Sequence, residues 1–154
     1  MRITILGGSG FLGTNISKAL QQENISFNIF DIEKSKFFPE KTTVGSICSI
    51  EDLKKIPDSN ILINLAAVHR DDVSPKSLYD EVNVNGSKKV CEYAKKNNID
   101  HIIFTSSVAI YGFAEPDTGE DGAINYFNDY GRTKYLAEQE YINWHSEDPQ
   151  NRTI

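Results

Sequence analysis

The sequence predicts an α/β protein, a doubly wound parallel sheet with helices on both faces, and three observations carry that prediction. Short β-rich apolar runs alternate with helical patterns from one end of the 154-residue chain to the other, which favours parallel strands joined by right-handed crossovers. The runs Ile3-Thr4-Ile5-Leu6 and Ile61-Leu62-Ile63 are nearly continuous in apolar residues, as expected of strands covered on both sides. Glycines stand at 7, 10 and 13, directly after the first run and at the start of the first helical pattern.

The first strand is expected over Arg2 to Leu6. Phe11, Leu12, Ile16, Ala19 and Leu20 recur at helical spacing and predict a helix from Phe11 to about Asn24. Ser26 to Ile32 reads as the second strand, ending on Asp31, and Thr42 to Val44 as a short third. A short helix from Ile50 to Ile56 is closed by Pro57, and Asn60 to Leu65 is the fourth strand. Ser74 is expected to cap a long helix with Pro75 at its first position, running from Lys76 to about Asn97. Asn83, Asn85 and Gly86 are poor helix formers in its interior; tight packing against a ligand would account for them, and so would a kink. His101 to Ser106 is the fifth strand, Gly112 to Phe127 a surface loop over the site, and Asn128 or Asp129 opens a helix to about His145. Asn151 to Ile154 reads as the start of a sixth strand.

Composition narrows the function classes. With 39% hydrophobic and 25% charged residues the chain has the balance of a globular protein. Its net charge of −6 and lack of a basic cluster argue against a nucleic-acid partner. No apolar run is long enough to span a bilayer and no signal-peptide pattern precedes the first strand, so a cytoplasmic location is expected. Cys48 and Cys91 lack metal-ligand spacing and read as reduced thiols, Cys91 half-buried on a helix; no metal is expected.

The glycine loop is where chemistry enters. A strand, a glycine-rich turn and a helix N-terminus present backbone N–H groups to a pyrophosphate. Asp31, at the end of the next strand, is placed for a carboxylate that accepts from adenosine ribose hydroxyls about twenty residues beyond the glycines. A plain βα turn has the same glycines, so the acid carries weight. Tyr130 and Lys134 lie one turn apart on the last predicted helix. An ammonium beside a phenol favours its ionised form, and the strand end Thr105-Ser106-Ser107 brings hydroxyls to the same edge.

In that order Gly7-x-x-Gly10-x-x-Gly13, Asp31, Asn64-Leu65-Ala66-Ala67, Asn83-Val84-Asn85-Gly86, Ser106-Ser107 and Tyr130-Gly131-Arg132-Thr133-Lys134 resemble the N-terminal, Rossmann-type part of the extended short-chain dehydrogenase/reductase family, in its sugar-nucleotide epimerase and dehydratase branch. The resemblance implies that Gly7, Gly10, Phe11, Leu12 and Gly13 hold the pyrophosphate of NAD, that Asp31 binds its adenosine ribose and disfavours NADP, and that Ser46 and Ile47 lie at the adenine. Ser46 stands where relatives often carry Asp. It further implies that Leu65, Ala66 and Ala67 line the cofactor, that Asn83 lies near the nicotinamide side, and that Ser107, Tyr130 and Lys134 are catalytic, the last two also contacting the cofactor.

Dehydratases of this branch carry Asp-Glu just after the strand-end hydroxyl; here Val108-Ala109 follow, which leaves 4-epimerisation or ketone reduction. The stretch from Ala67 to Tyr79 resembles epimerases of bacterial surface-polysaccharide clusters, including those acting on N-acetylglucosamine carried by a nucleotide or by undecaprenyl diphosphate. A lipid-linked substrate would imply peripheral membrane contact. The resemblance also implies a homodimer, and a C-terminal substrate domain beyond residue 154, so that residues 1–154 would form an incomplete cofactor domain with little or no turnover alone. A non-catalytic NAD(P)-binding module is the alternative from another class.

Overall fold

A computed structural model describes all 154 residues. Five parallel strands form one sheet in the order β3-β2-β1-β4-β5: β1 (Ile3–Leu6), β2 (Phe27–Asp31), β3 (Thr42–Val44), β4 (Ile61–Asn64) and β5 (His101–Phe104). Each strand matches its expected position, most of them shorter by a residue or two at an end. Strand order reverses at β1, with β2 and β3 on one side and β4 and β5 on the other, so the carboxyl ends of β1 and β4 open a crevice at the switch point.

The register sorts the core into two layers. Ile5 pairs with Ile29 and Ile63, and these three, with Ile3, Phe27 and Phe38, pack on one face against Ile16 and Leu20 of α1 (Phe11–Gln22). One residue along, Leu6, Phe30, Leu62 and Ile102 turn to the opposite face, as the period of two requires. There they meet Val90, Tyr93 and Ala94 of α4 (Gly86–Lys96) and Tyr141 and Trp144 of α5 (Asp129–Ser146). The short α2 (Ile50–Leu53), capped by Ser49 Oγ accepting from the Asp52 N–H at 3.2 Å, adds Leu53 to that layer.

The long helix departs from expectation at its start and in its interior. It begins at α3 (Ser77–Tyr79), with Lys76 at the cap position and no side-chain cap, so Ser74 and Pro75 precede it; the first turn is closed by the Leu78 and Tyr79 N–H groups on the carbonyls of Pro75 and Lys76. Asp80–Asn85 then forms a π-helical segment before α4. The poor helix formers fall in that widened stretch and at its exit, where a Cβ on Gly86 would meet Ile47 Cδ1 at 2.7 Å. Cys91 is 6% exposed, more buried than its sequence position suggested, and burial pushes its thiol up to about 12. Thr153 pairs with His101 on the outer edge of β5, in parallel, in agreement with a sixth strand beginning there. No helix is long and apolar enough to cross a membrane.

One buried polar contact joins the sheet to α5. Asn64 Nδ2 donates to Tyr141 Oη at 2.5 Å, both residues being 1% exposed, while Asn64 Oδ1 accepts from the Ala66 N–H at 3.1 Å. Removing the phenol oxygen leaves a buried amide donor without a partner. Tyr141→Phe is therefore expected to lower unfolding free energy by about 1–3 kcal/mol, read as a lower urea midpoint at unchanged m-value.

Candidate active site

The crevice at the switch point is a cleft of about 850 Å³. Its floor is backbone. Gly7, at φ +77°, donates its N–H to the Phe30 carbonyl at 2.8 Å, and a Cβ there would lie 2.7 Å from Ala66 N. A Cβ on Gly13 would lie 2.5 Å from Gly8 Cα, so that glycine lets α1 close on the loop. Gly10 differs: it caps α1, and the nearest atom to a Cβ there is Gly7 O at an ordinary 3.5 Å. Protein packing accounts for Gly7 and Gly13 but leaves Gly10 bare toward the cleft, where a phosphate would approach the N-terminus of a twelve-residue helix.

All eleven residues from Gly7 to Ala67 that the sequence assigns to the cofactor line this one cleft: Gly7, Gly10, Phe11, Leu12, Gly13, Asp31, Ser46, Ile47, Leu65, Ala66 and Ala67. Phe11 is 87% exposed at the first turn of α1, an apolar ring with no protein core to join. Asp31 is oriented by two backbone donors, the Ser9 N–H at 2.9 Å and the Glu33 N–H at 3.1 Å. Ser46 donates its N–H to Asp52 at 3.1 Å, and its Oγ accepts from the Cys48 N–H at 3.1 Å, leaving the hydroxyl proton available at the rim. The residues present fit an adenine dinucleotide: a bare helix N-terminus for the pyrophosphate and a fixed carboxylate at the neighbouring strand end.

Sequence reasoning passed over Ser9, Glu33 and Val68, which line the cleft together with the strand-end Thr105. Ser9 lies inside the glycine loop, where the glycines mask a polar residue, and Thr105 is the residue that follows β5. His69 and Arg70 reach the same wall, Arg70 engaged by Asp72 through Nε and Nη2 at 3.1 and 2.8 Å.

Asn83, Tyr130 and Lys134 do not line the cleft. Asn83 is 2% exposed; its Oδ1 accepts from the Val68 N–H at 2.8 Å, and its Nδ2 donates to the Val68 carbonyl and to Thr133 Oγ1, both at 2.9 Å. It thus ties the cleft wall to α5 from behind. Lys134 is 3% exposed, and its Nζ donates to the carbonyl of Thr105 and lies 4.0 Å from the centre of the Phe104 ring. Burial brings its ammonium down to about 8, with Glu138 acting in the opposite direction. Ser107 caps a 3₁₀ turn (Val108–Ile110), its Oγ accepting from the Ala109 N–H at 3.2 Å, so its hydroxyl proton is free to be donated outward. Ser106 is instead engaged with Glu138 Oε2 at 2.6 Å.

The serine and tyrosine elements are brought together by a missing side chain. A Cβ on Gly131 would sit 2.4 Å from the Ala109 carbonyl oxygen, so the first turn of α5 rests on the Ser107-capped turn. Asn128 caps α5, its Oδ1 accepting from the Gly131 N–H at 2.8 Å. Arg132 then pairs with both Asp80 oxygens, at 2.8 and 2.6 Å, fixing α5 to the π segment.

The sheet, the glycine corner and the cleft at the switch point define a dinucleotide-binding α/β domain of the Rossmann type. The match at residues 3–154 to the NAD dependent epimerase/dehydratase family is more specific, and the chain belongs to that family. It is 38% identical over 155 aligned residues to the N-acetyl-α-D-glucosaminyl-diphospho-ditrans,octacis-undecaprenol 4-epimerase of Escherichia coli O157:H7, covering 99% of this chain and 46% of that protein. Among solved structures, UDP-glucose 4-epimerase from Brucella ovis in complex with NAD superposes with a TM-score of 0.83 at 25% identity, covering 94% of this chain and 48% of that one. The UDP-Glc/GlcNAc 4-epimerase of Campylobacter jejuni superposes with a TM-score of 0.88 at 18% identity, covering 97% and 50%, a likeness of fold. The chain spans about half the length of these relatives.

Two outcomes are expected. Gly10→Ala changes stability by less than about 1 kcal/mol yet weakens dinucleotide binding at least tenfold, whereas Gly13→Ala lowers the melting temperature because its Cβ meets Gly8 backbone; thermal melts and titration calorimetry separate the two. For Lys134, the folded state holds its proton less tightly than the unfolded chain. The penalty is full below about pH 8 and is relieved as pH rises toward the unfolded lysine value of about 10.4. Relative to Lys134→Met, the native protein should gain on the order of 2–3 kcal/mol between pH 7 and 10.5, measured by urea unfolding at each pH.

Proposed function

We propose that the chain is the cofactor-binding half of an NAD-dependent enzyme that inverts C4 of a nucleotide-linked or undecaprenyl-diphosphate-linked sugar, N-acetylglucosamine or N-acetylgalactosamine, in the synthesis of bacterial surface polysaccharide. The observation that supports the reading is the close approach of Gly131 to the Ala109 carbonyl oxygen, which seats the first turn of α5, the turn that carries Tyr130, on the turn capped by Ser107. Lys134 is bonded to the carbonyl of Thr105, itself part of the cleft wall. The 38% identity to a lipid-linked N-acetylglucosamine 4-epimerase supports the substrate class.

Gly7, Gly10 and the first turn of α1 would hold the pyrophosphate of NAD, Asp31 the adenosine ribose, Ser46 and Ile47 the adenine edge, and Leu65 to Ala67 the floor toward the nicotinamide. When bound, NAD supplies a reversible acceptor for the hydride at C4. Tyr130 takes the proton of the sugar O4 hydroxyl as the ketone forms and returns it when the alcohol is restored, so proton and hydride counts close with no net redox change. Ser107 donates its free hydroxyl proton to the same oxygen while the carbonyl is present. Lys134 would stand one helical turn from Tyr130 and hold the ribose on the nicotinamide side. Val108 and Ala109 follow Ser107 without a carboxylate, which favours epimerisation over water elimination. Catalysis with turnover would require a substrate-binding half, and dimerisation through the helices at 76–97 and 129–145 belongs to the same proposal.

In a protein of the relatives' length, Tyr130→Phe should lower 4-epimerase turnover by at least a thousandfold while leaving NAD affinity within about threefold. The assay follows UDP-N-acetylglucosamine and its undecaprenyl-diphosphate counterpart separately; unchanged rates remove Tyr130 from the mechanism, and activity on neither sugar overturns the substrate assignment.

A further inference from the structure

The turn that follows β2 carries a second acid. Asp31 accepts from the N–H groups of Ser9 and Glu33 at 2.9 and 3.1 Å, and Ser9 Oγ donates to the Glu33 carbonyl at 2.7 Å. These three bonds make the glycine loop and the strand-end turn one piece. Both backbone polar groups of Glu33 are engaged, so its exposed side chain rises from a fixed anchor. Glu33 lines the same cleft wall as Asp31. The cations of this region, Lys18 over the Phe37 ring at 4.3 Å and the exposed Lys34 and Lys36, are not among the residues that line the cleft.

Resting on the reading of the cleft as an NAD site, we infer that Glu33 is a second specificity-determining carboxylate, acting beside Asp31 against dinucleotides phosphorylated on the adenosine ribose. A bare ribose offers hydroxyl donors to a carboxylate. A ribose phosphate offers only acceptors and close to two negative charges near neutral pH. At a water-exposed cleft edge each carboxylate a few ångströms away costs such a ligand on the order of tenfold in affinity. With two acids on one anchored turn, neutralising Asp31 alone leaves discrimination in place.

The test titrates the purified chain with NADH and with NADPH, followed by nicotinamide fluorescence, for the native sequence, Glu33→Gln, Asp31→Asn and the double variant, each checked for native circular dichroism. The native chain should prefer NADH by about a hundredfold. Glu33→Gln should narrow that preference about tenfold while NADH affinity moves less than threefold; Asp31→Asn should retain a preference for NADH, and the double variant should approach parity. An NADPH to NADH ratio that Glu33→Gln leaves unchanged in both backgrounds overturns the inference while the NAD site stands. A native chain that binds neither dinucleotide overturns the reading of the cleft itself.

Discussion

The constraint on which the cleft depends is a place where no side chain fits. β1 and β4 leave the sheet side by side, and a Cβ on Gly7 would stand 2.7 and 2.8 Å from the N and Cα atoms of Ala66. Gly7 turns the chain at φ +77°, a conformation that glycine adopts at little cost. The two backbones thereby meet at the switch point, and α1 closes over them through the Gly13 and Gly8 contact. The depth of the cleft, the direction of the α1 N-terminus and the reach of Asp31 back to Ser9 all follow from that corner.

A second set of contacts carries the position of the cleft wall to the chemistry-bearing helix. Asn83 holds Val68 from behind and donates to Thr133, while Arg132 grips Asp80. Both pairs join the π segment to α5, one buried and one partly exposed. The exposed ion pair contributes little to stability by itself; its geometry, two parallel bonds from a planar group, fixes direction. The buried carboxamide matters more, because each of its polar atoms has a partner that would be left bare without it.

Much of this was legible from residue order. Strand runs and helical spacing located every main element because both faces of the sheet are covered, which makes the strands continuous and apolar. The glycines, Asp31 and the small residues at Ala66 and Ala67 pointed to one cleft because close backbone approach demands particular residues at particular places. Less visible was the helix interior. Asn83 reads from the sequence as a group near the nicotinamide side; the structure adds that its buried side chain is held by the Val68 backbone and by Thr133, the latter a contact across 50 residues that no local pattern encodes. Ser74 and Pro75 have the chemistry of a helix start, yet the helix begins at Ser77. Lys134 lies on the expected helix, while its bond to the Thr105 carbonyl depends on how strand β5 and α5 meet.

The π segment at Asp80–Asn85 has a further meaning. A π turn accommodates one residue more than an α turn over the same length, so the helix behaves as an α-helix that has absorbed a single-codon insertion. Restoring regular winding by deleting one residue would rotate Ser77 to Tyr79 by about 100° relative to α4, carrying Tyr79 Oη away from the Arg70 carbonyl on which it donates and Asp80 away from Arg132. The extra residue is thus held in place from two sides, and a shorter segment would lose both contacts at once.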